Sequence, residues 1–135
     1  MSKLEEVKKR LYSNNASLVV YYLNGEIKEY YQNRVNDIKS ILQEDESALK
    51  GAVIADKVIG KLAASLLAVA GVKEIFADVI SVYAIPVLEE YNVEYEYNKK
   101  VDYIINNTKT GMCPMENKYK DEKDIKKIYN EIIKK

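Results

Sequence analysis

The chain has 135 residues, 47% of them apolar and 31% charged, a composition typical of one folded globular domain. Its 21 basic residues balance 21 acidic ones, so no net field favours nucleic acid or an anionic membrane as a partner. With no histidine and one cysteine, the sequence excludes the usual zinc sites and the histidine-based serine or cysteine triads.

Cysteine content and hydropathy also bear on the cellular location. A single cysteine cannot close an internal disulfide, and the first residues do not resemble a signal peptide, so we expect a cytoplasmic protein. The longest apolar stretch, residues 58–72, carries Lys61 and is shorter than the roughly 20 residues of a membrane-spanning helix. It is predicted to be a buried helix, and we expect no membrane partner.

The first third of the chain predicts a helix, a hairpin and a second helix. An apolar stripe with helical spacing lies within residues 1–14. Residues 17–23 and 26–31 are rich in strand-forming side chains and flank Asn24-Gly25, the strongest short hairpin signal. From Asn33 onward the apolar spacing returns to that of a helix.

The middle of the chain predicts strands that alternate with helices. Residues 49–55, 72–77 and 93–97 read as strands, and residues 57–70 and 83–91 as helices. Strand–helix–strand units with short links form right-handed crossovers, so these strands should be parallel. With the hairpin added, the sequence predicts the α/β class, with a five-stranded mixed sheet flanked by helices.

The last third predicts a loop and a terminal helix. Residues 101–105 indicate a further extended segment, and residues 106–112 a turn-rich loop. Residues 121–135 predict an amphipathic helix that packs either on this domain or on a second copy of the chain. We therefore expect a single domain over 1–135, with a first helix at 1–14, a core at 15–120 and the last helix at 121–135.

Residues 55–61 (ADKVIGK) form the first candidate binding motif. Asp56 is predicted to cap the helix 57–70, Lys57 and Lys61 would share a face of it, and Gly60 permits close approach. Free N–H groups at a helix start favour an anion, so these four residues predict a phosphate or carboxylate site. The alternative is structural: a cap, a packing glycine and two lysines whose stems lie on the surface.

Residues 110–116 (TGMCPME) form the second candidate motif. Cys113 directly before Pro114 predicts a helix start, where the helix dipole favours a thiolate, so Cys113 is a candidate catalytic nucleophile. The alternative is a small buried hydrophobic residue between two methionines. Glu116 has the spacing of a capping-box partner and is also placed among the candidate ligand-binding residues.

The loop before this motif is predicted to act as a lid. Thr110 and Gly111 would supply its hinge, and Asn106 could donate to a bound anion. Ligands of open α/β sheets lie at the carboxyl ends of the strands, so we expect Cys113 to line one cleft with Asp56 and Lys57.

Three blocks of sequence carry a resemblance to a known family. The blocks are KGAVIADKVIGK (residues 50–61), GVKEIFADVIS (71–81) and IINNTKTGMCPME (104–116). Together they resemble a domain-of-unknown-function family of small bacterial proteins placed in the cytidine deaminase-like superfamily, over roughly residues 17–116. The resemblance implies a three-layer α/β/α sandwich of deaminase type.

The same resemblance argues against zinc chemistry. Zinc deaminases place an H-x-E box at the start of the second helix and a P-C-x-x-C box at the start of the third. Here these positions correspond to about residues 33–35 and 56–60, and neither holds a zinc ligand of that set. We expect no metal and no cofactor.

Three functional hypotheses follow from the sequence. The first is a protein without zinc-deaminase activity that binds a small anionic metabolite, such as a nucleotide, at the 55–61 motif. The second is an enzyme of thiol chemistry, such as acyl or sulfur transfer, with Cys113 as nucleophile. The third is a homodimer or interaction module that uses the tyrosine-rich strands and the last helix.

Overall fold

The structure is a computed structural model and describes residues 1–32, 35–106 and 108–134. Its elements, in chain order, are α1 (Lys3–Ser13), β1 (Leu18–Tyr21), β2 (Ile27–Tyr30), α2 (Asn36–Glu44), β3 (Val53–Ile59), α3 (Lys61–Val69), β4 (Glu74–Ser81), α4 (Ile85–Glu90), β5 (Glu94–Val101), α5 (Pro114–Tyr119) and α6 (Ile125–Ile133). No helix in these ranges is long and apolar enough to cross a membrane.

The five strands form one mixed sheet in the order β2-β1-β3-β4-β5. β1 is antiparallel to both β2 and β3, whereas β3, β4 and β5 are parallel to one another. Gly25 has a φ of +96° in the turn between β1 and β2, a conformation that glycine adopts without strain. The predicted hairpin and the predicted five-stranded mixed sheet are both confirmed.

Alternate residues of the central strands pack into two apolar cores, as the period of two along a strand requires. Val19, Val53 and Phe76 pack with Val7 and Leu11 of α1. The larger core joins the other side chains of the strands to α2, α3, α4 and α6; its fully buried members include Leu18, Ile38, Leu42, Ile54, Leu66, Leu67, Ile75, Leu88 and Ile128. The small residues of α3 allow this helix to lie at the centre of that core.

The last helix belongs to this domain. Ile125, Ile128, Tyr129 and Ile133 of α6 are buried in the larger core, and α6 packs against α3. Of the two placements that the sequence leaves open for its apolar stripe, the structure therefore selects packing within the chain.

The junction between β3 and α3 differs from the sequence prediction. β3 runs to Ile59 because it pairs with β4 as far as Ile59 opposite Ile80, so Asp56 and Lys57 lie in the strand. Gly60, in an extended conformation, is the N-cap of α3. The prediction that Asp56 caps this helix is wrong, as is the prediction that Lys57 and Lys61 share a helix face.

Two other boundaries also shift. β5 continues to Val101, and the segment after it forms only an isolated bridge between Ile105 and Met112, not a further strand. α2 begins at Asn36; its predicted start at Asn33 lies outside the described residues.

Candidate functional site

Three helices begin around one cavity, which we call the helix-start cavity. Its volume is about 350 Å³, within the size range of small-molecule sites. The starts of α2, α3 and α5 contribute to its wall together with the segment after β5. Its lining residues are Val35, Asn36, Val58, Gly60, Lys61, Leu62, Ala63, Ile104, Asn106, Cys113, Pro114, Met115 and Glu116.

The carboxylate of Glu116 accepts a hydrogen bond from the first residue of α3. Its side chain, 3% exposed, accepts hydrogen bonds from two backbone N–H groups: Lys61 donates to Oε1 at 2.6 Å, and Ile104 donates to Oε2 at 2.7 Å. A carboxylate in this position also interacts favourably with the helix dipole. The anion predicted at this helix start is therefore supplied by the chain itself.

Glu116 does not act as the predicted capping-box partner. In a capping box its side chain would accept from the N–H of Cys113. That N–H instead donates to the carbonyl oxygen of Ile104 at 2.7 Å. Cys113 is nevertheless the N-cap of α5 with proline at the first turn, so the predicted helix start is confirmed.

Gly60 is the residue that lets Glu116 reach the helix. A Cβ atom at position 60 would lie 2.8 Å from Oε1 of Glu116 and 2.8 Å from Cγ1 of Ile104, closer than real Cβ contacts. The close approach predicted for Gly60 is thus made by the chain's own carboxylate. It explains why glycine is needed although its φ of −104° is ordinary.

Lys61 is largely buried, and its amine lies 3.5 Å from the carbonyl oxygen of Lys120 at the end of α5. Burial lowers the pKa of this amine, while Asp121 and Glu122 act in the opposite direction. Its ammonium group is therefore held near acidic residues that follow α5, which reduces its ability to attract an anion.

Leu62 and Ala63, two residues of the first turn of α3, line the helix-start cavity. In the described chain, the N–H groups of Leu62 and Ala63 have no acceptor. Of the N–H groups in the first turn of α3, Glu116 accepts only that of Lys61, and the N–H of Ala64 donates to the carbonyl oxygen of Gly60. Around these polar groups the wall is mostly aliphatic. The cavity therefore offers donors beside a carboxylate in an apolar surround.

The loop before α5 is folded on itself. Asn106 donates to the hydroxyl of Thr110 at 3.1 Å and accepts from the N–H of Thr110 at 3.0 Å. Asn106 and the half-buried Cys113 line the helix-start cavity, whereas Thr110 and Gly111 line neither of the cavities described here. Asn107, within the predicted lid, lies outside the described residues.

A second cavity of about 420 Å³ adjoins the first, and Val58 and Ile104 line both. We call it the lysine cavity, because Lys57 and Lys99 contribute to its wall. Its other lining residues are Ser17, Asp56, Val79, Val101, Tyr103 and Ile105. The single cleft predicted for Cys113, Asp56 and Lys57 is therefore divided into two cavities: Cys113 lines one, and Asp56 and Lys57 line the other.

Asp56 is 4% exposed, and its two carboxyl oxygens differ. Oδ1 lies 3.4 Å from the N–H of Val58, whereas Oδ2 is buried and has no hydrogen-bond partner in the described chain. Burial is the main cause that raises the pKa of Asp56, to about 8, and the nearby Asp37 adds to it. At neutral pH this carboxyl group is therefore mostly protonated and can donate a hydrogen bond.

The two lysines of this cavity lack carboxylate partners. Within the part of the chain that the structure describes, neither Lys57 nor Lys99 lies within 4.0 Å of a carboxylate oxygen. The amine of Lys57 donates to the side-chain oxygen of Asn15 at 2.6 Å. Lys99 is not among the residues predicted from sequence, because a lysine in an exposed polar strand carries no local signal.

Metal binding has no evident location among residues 1–32, 35–106 and 108–134. These ranges contain no group of three or more cysteine, histidine or acidic side chains that could hold a metal ion.

This chain is similar to a known protein family and to a solved structure. Residues 6–135 match the family model TM1506, described as a domain of unknown function (DUF1893). The crystal structure of a DUF1893 family protein, TM1506 from Thermotoga maritima, is similar with a TM-score of 0.85 and 26% identity, over 97% of this chain and 88% of that one. A comparison with curated proteins finds no match.

Proposed function

Because the chain belongs to the DUF1893 family, whose function is unknown, we propose from the site itself that it binds a small nucleotide-like metabolite, with the base in the helix-start cavity. The observation that carries this proposal is the pairing of donors and acceptor at the start of α3. Among the described residues, the N–H groups of Leu62 and Ala63 have no acceptor, and both residues line this cavity together with Glu116.

A nucleobase edge presents the complementary groups. Its carbonyl oxygen would accept from the free N–H groups, and its ring N–H or amino group would donate to Glu116, since a carboxylate oxygen with one hydrogen bond can accept another. The aliphatic wall formed by Val35, Val58 and Ile104 suits the faces of a planar ring. The negative charge of Glu116 disfavours a phosphate in this cavity, so the base is the part that fits here.

The location agrees with the resemblance to the deaminase-like superfamily. The starts of α2 and α3, where zinc deaminases carry their two boxes, form part of this cavity. The residues there supply no zinc ligand, so the proposal is binding without metal-activated hydrolysis.

The test is a thermal-shift screen of nucleosides and nucleotides. A nucleoside at 100 times its dissociation constant should stabilise the protein by about 2.7 kcal/mol. Cys113→Phe, which fills the cavity, should abolish the shift, whereas Cys113→Ser should keep it. Asn117→Phe on the exposed side of α5 is the control for an added ring.

Two results would contradict the proposal: no nucleoside shifts the wild type, or Cys113→Phe folds and keeps the full shift. Loss of binding in Cys113→Ser, together with covalent labelling of the wild type, would instead favour the thiol-chemistry hypothesis.

A second, compatible candidate is self-association through β5. This strand is at the edge of the sheet, and its side chains are mostly exposed. Its first half carries Glu94 and Glu96 and its second half Lys99 and Lys100, so antiparallel pairing with a second copy would place opposite charges together.

Sedimentation velocity tests this candidate. The wild type should be dimeric, and Glu94→Lys/Glu96→Lys should be monomeric because like charges would then face each other. Mixing this variant with Lys99→Glu/Lys100→Glu should restore a dimer. A monomeric wild type would refute self-association through β5. A dimer that persists when these charges are reversed would also refute it.

A further inference from the structure

We propose that Asn24 is a site of spontaneous deamidation controlled by the β1–β2 hairpin: the closed hairpin protects its amide, and the open hairpin allows it to convert to aspartate or isoaspartate. Asn24-Gly25 is the only Asn-Gly pair in the chain. Glycine places no side chain in the path of the attack, so Asn24 is the asparagine most open to this reaction. The inference is independent of the proposed function, because Asn24 and Gly25 line neither cavity of the candidate site.

The reaction consumes only water. The backbone nitrogen of Gly25 loses its proton and attacks the side-chain carbon Cγ of Asn24, and the amide nitrogen leaves as ammonia. Water then opens the resulting cyclic succinimide at one of its carbonyl groups, which yields aspartate or isoaspartate. The net change replaces an amide NH₂ by OH and releases ammonia, with no oxidation or reduction.

The turn that carries this pair is accessible to solvent. Asn24 and Gly25 are both exposed, and a Cβ placed on Gly25 would meet no atom beyond its chain neighbours within 4 Å. The φ of +96° at Gly25 is a conformation that other residues adopt only with strain. Water and base therefore reach this peptide unit, and the turn itself favours the glycine that makes Asn24 labile.

The closed hairpin holds both reacting groups. The attacking nitrogen is engaged, because the N–H of Gly25 donates to the carbonyl oxygen of Tyr22 at 3.0 Å. Both polar atoms of the Asn24 amide are also bonded: Oδ1 accepts from the N–H of Glu26 at 2.9 Å, and Nδ2 donates to Oε1 of Glu26 at 3.0 Å. Attack requires the N–H of Gly25 to be free and the amide to turn toward it, so the hairpin turn must open first.

Opening of the hairpin is a local event, because β2 is an edge strand. In the described sheet β2 pairs only with β1, whereas β1 also pairs with β3 and keeps this partner when β2 detaches. Deamidation then makes closure harder. The product loses the Nδ2 donor and places a second carboxylate beside Glu26, and isoaspartate also lengthens the backbone of the turn. The modified chain should therefore keep β2 more open than the unmodified one.

The experiment measures the rate of Asn24 deamidation by peptide mass spectrometry, in native buffer and in urea at the same pH. We expect the native rate to be lower by about tenfold or more, which corresponds to an opening free energy of at least about 1.4 kcal/mol. Asn15 and Asn92 precede alanine and valine, whose side chains hinder the attack. They are internal controls and should remain intact over the time in which Asn24 reacts.

Two variants separate opening of the hairpin from unfolding of the whole domain. Tyr30→Ala removes a half-buried ring of β2 whose hydroxyl contacts that of Tyr22, so it should raise the native rate about threefold or more. Ile132→Ala, in α6, weakens the core but not the hairpin, and should leave the native rate within about twofold. In urea both variants should react at the wild-type rate. If Tyr30→Ala does not fold, Glu26→Ala, which frees the amide nitrogen of Asn24, takes its place.

Two results would overturn the inference. A native rate equal to the rate in urea would show that the hairpin gives no protection. Equal native rates for the hairpin variant and Ile132→Ala would show that the reaction does not depend on local opening of the hairpin. Neither result bears on nucleoside binding, and absent nucleoside binding would leave this inference intact.

Discussion

Removal of the Glu116 carboxylate is the sharpest test of how the candidate site is built. Glu116→Ala leaves the buried N–H groups of Lys61 and Ile104 without acceptors. Each orphaned donor costs about 1–3 kcal/mol, so we expect the free energy of unfolding to fall by roughly 2–6 kcal/mol. For a domain of this size, this lowers Tm by roughly 3–4 °C per kcal/mol.

Glu116→Gln removes one of the two hydrogen bonds and the negative charge but keeps the other hydrogen bond. It therefore separates their contributions to the free energy of unfolding from the full effect of Glu116→Ala. The amide keeps one acceptor oxygen, but its NH₂ group then faces one of the two backbone donors. It also loses the interaction with the dipole of α3, about 0.3–2 kcal/mol. We therefore expect a loss of stability between those of the wild type and of Glu116→Ala.

Equilibrium urea unfolding measures these differences, and an unchanged m value would show that stability alone has changed. Glu94→Gln, at an exposed position of β5, is the control and should lie within about 0.5 kcal/mol of the wild type. If Glu116→Ala also lies within this range, Glu116 does not hold the start of α3, and the reasoning is refuted.

Three further predictions concern stability. Gly60→Ala brings a Cβ within 2.8 Å of Glu116 and should cost about 1–3 kcal/mol, whereas Gly111→Ala, with open space around it, should be nearly neutral in the same unfolding assay. Asp56 is protonated in the folded state up to about pH 8 but ionises near 3.8 when unfolded, so folding stability falls as pH rises between these values. Asp56→Asn removes this dependence, and its stability relative to the wild type should rise from pH 5 to pH 8 in urea titrations; parallel profiles would contradict this. Ile128→Ala in the core should cost about 2–5 kcal/mol, and the half-buried Ile132→Ala clearly less; equal losses would mean that α6 is not docked as described.

Local patterns in the sequence were sufficient for most secondary structure. The Asn24-Gly25 turn, the strands on either side of it and the Cys113-Pro114 helix start each depend on residues only a few positions apart. The order of strands and helices then determined the mixed sheet, because short crossover connections permit few topologies. The absence of histidine removed whole classes of chemistry without any structure.

The boundary between β3 and α3 could not be predicted from local sequence. A polar pair after an apolar run resembles a helix cap, but pairing with β4 continues the strand through Asp56 and Lys57 to Ile59. The side chain of Asp56 is therefore buried, and its raised pKa follows from the surrounding residues of the tertiary structure rather than from its neighbours in sequence.

The site itself was determined by contacts across long stretches of chain. Glu116 meets the N–H of a residue 55 positions earlier, and the amine of Lys57 meets Asn15, 42 positions earlier. The sequence placed Gly60 and Lys61 among the candidate residues because helix starts attract anions, and Glu116 because it has capping-box spacing after Cys113. Only the fold decided that Glu116 is the anion at this helix start and that Asp56 is buried in a strand beside a second cavity. Contacts between distant segments depend on how the strands and helices pack and not on the residues next to them in sequence.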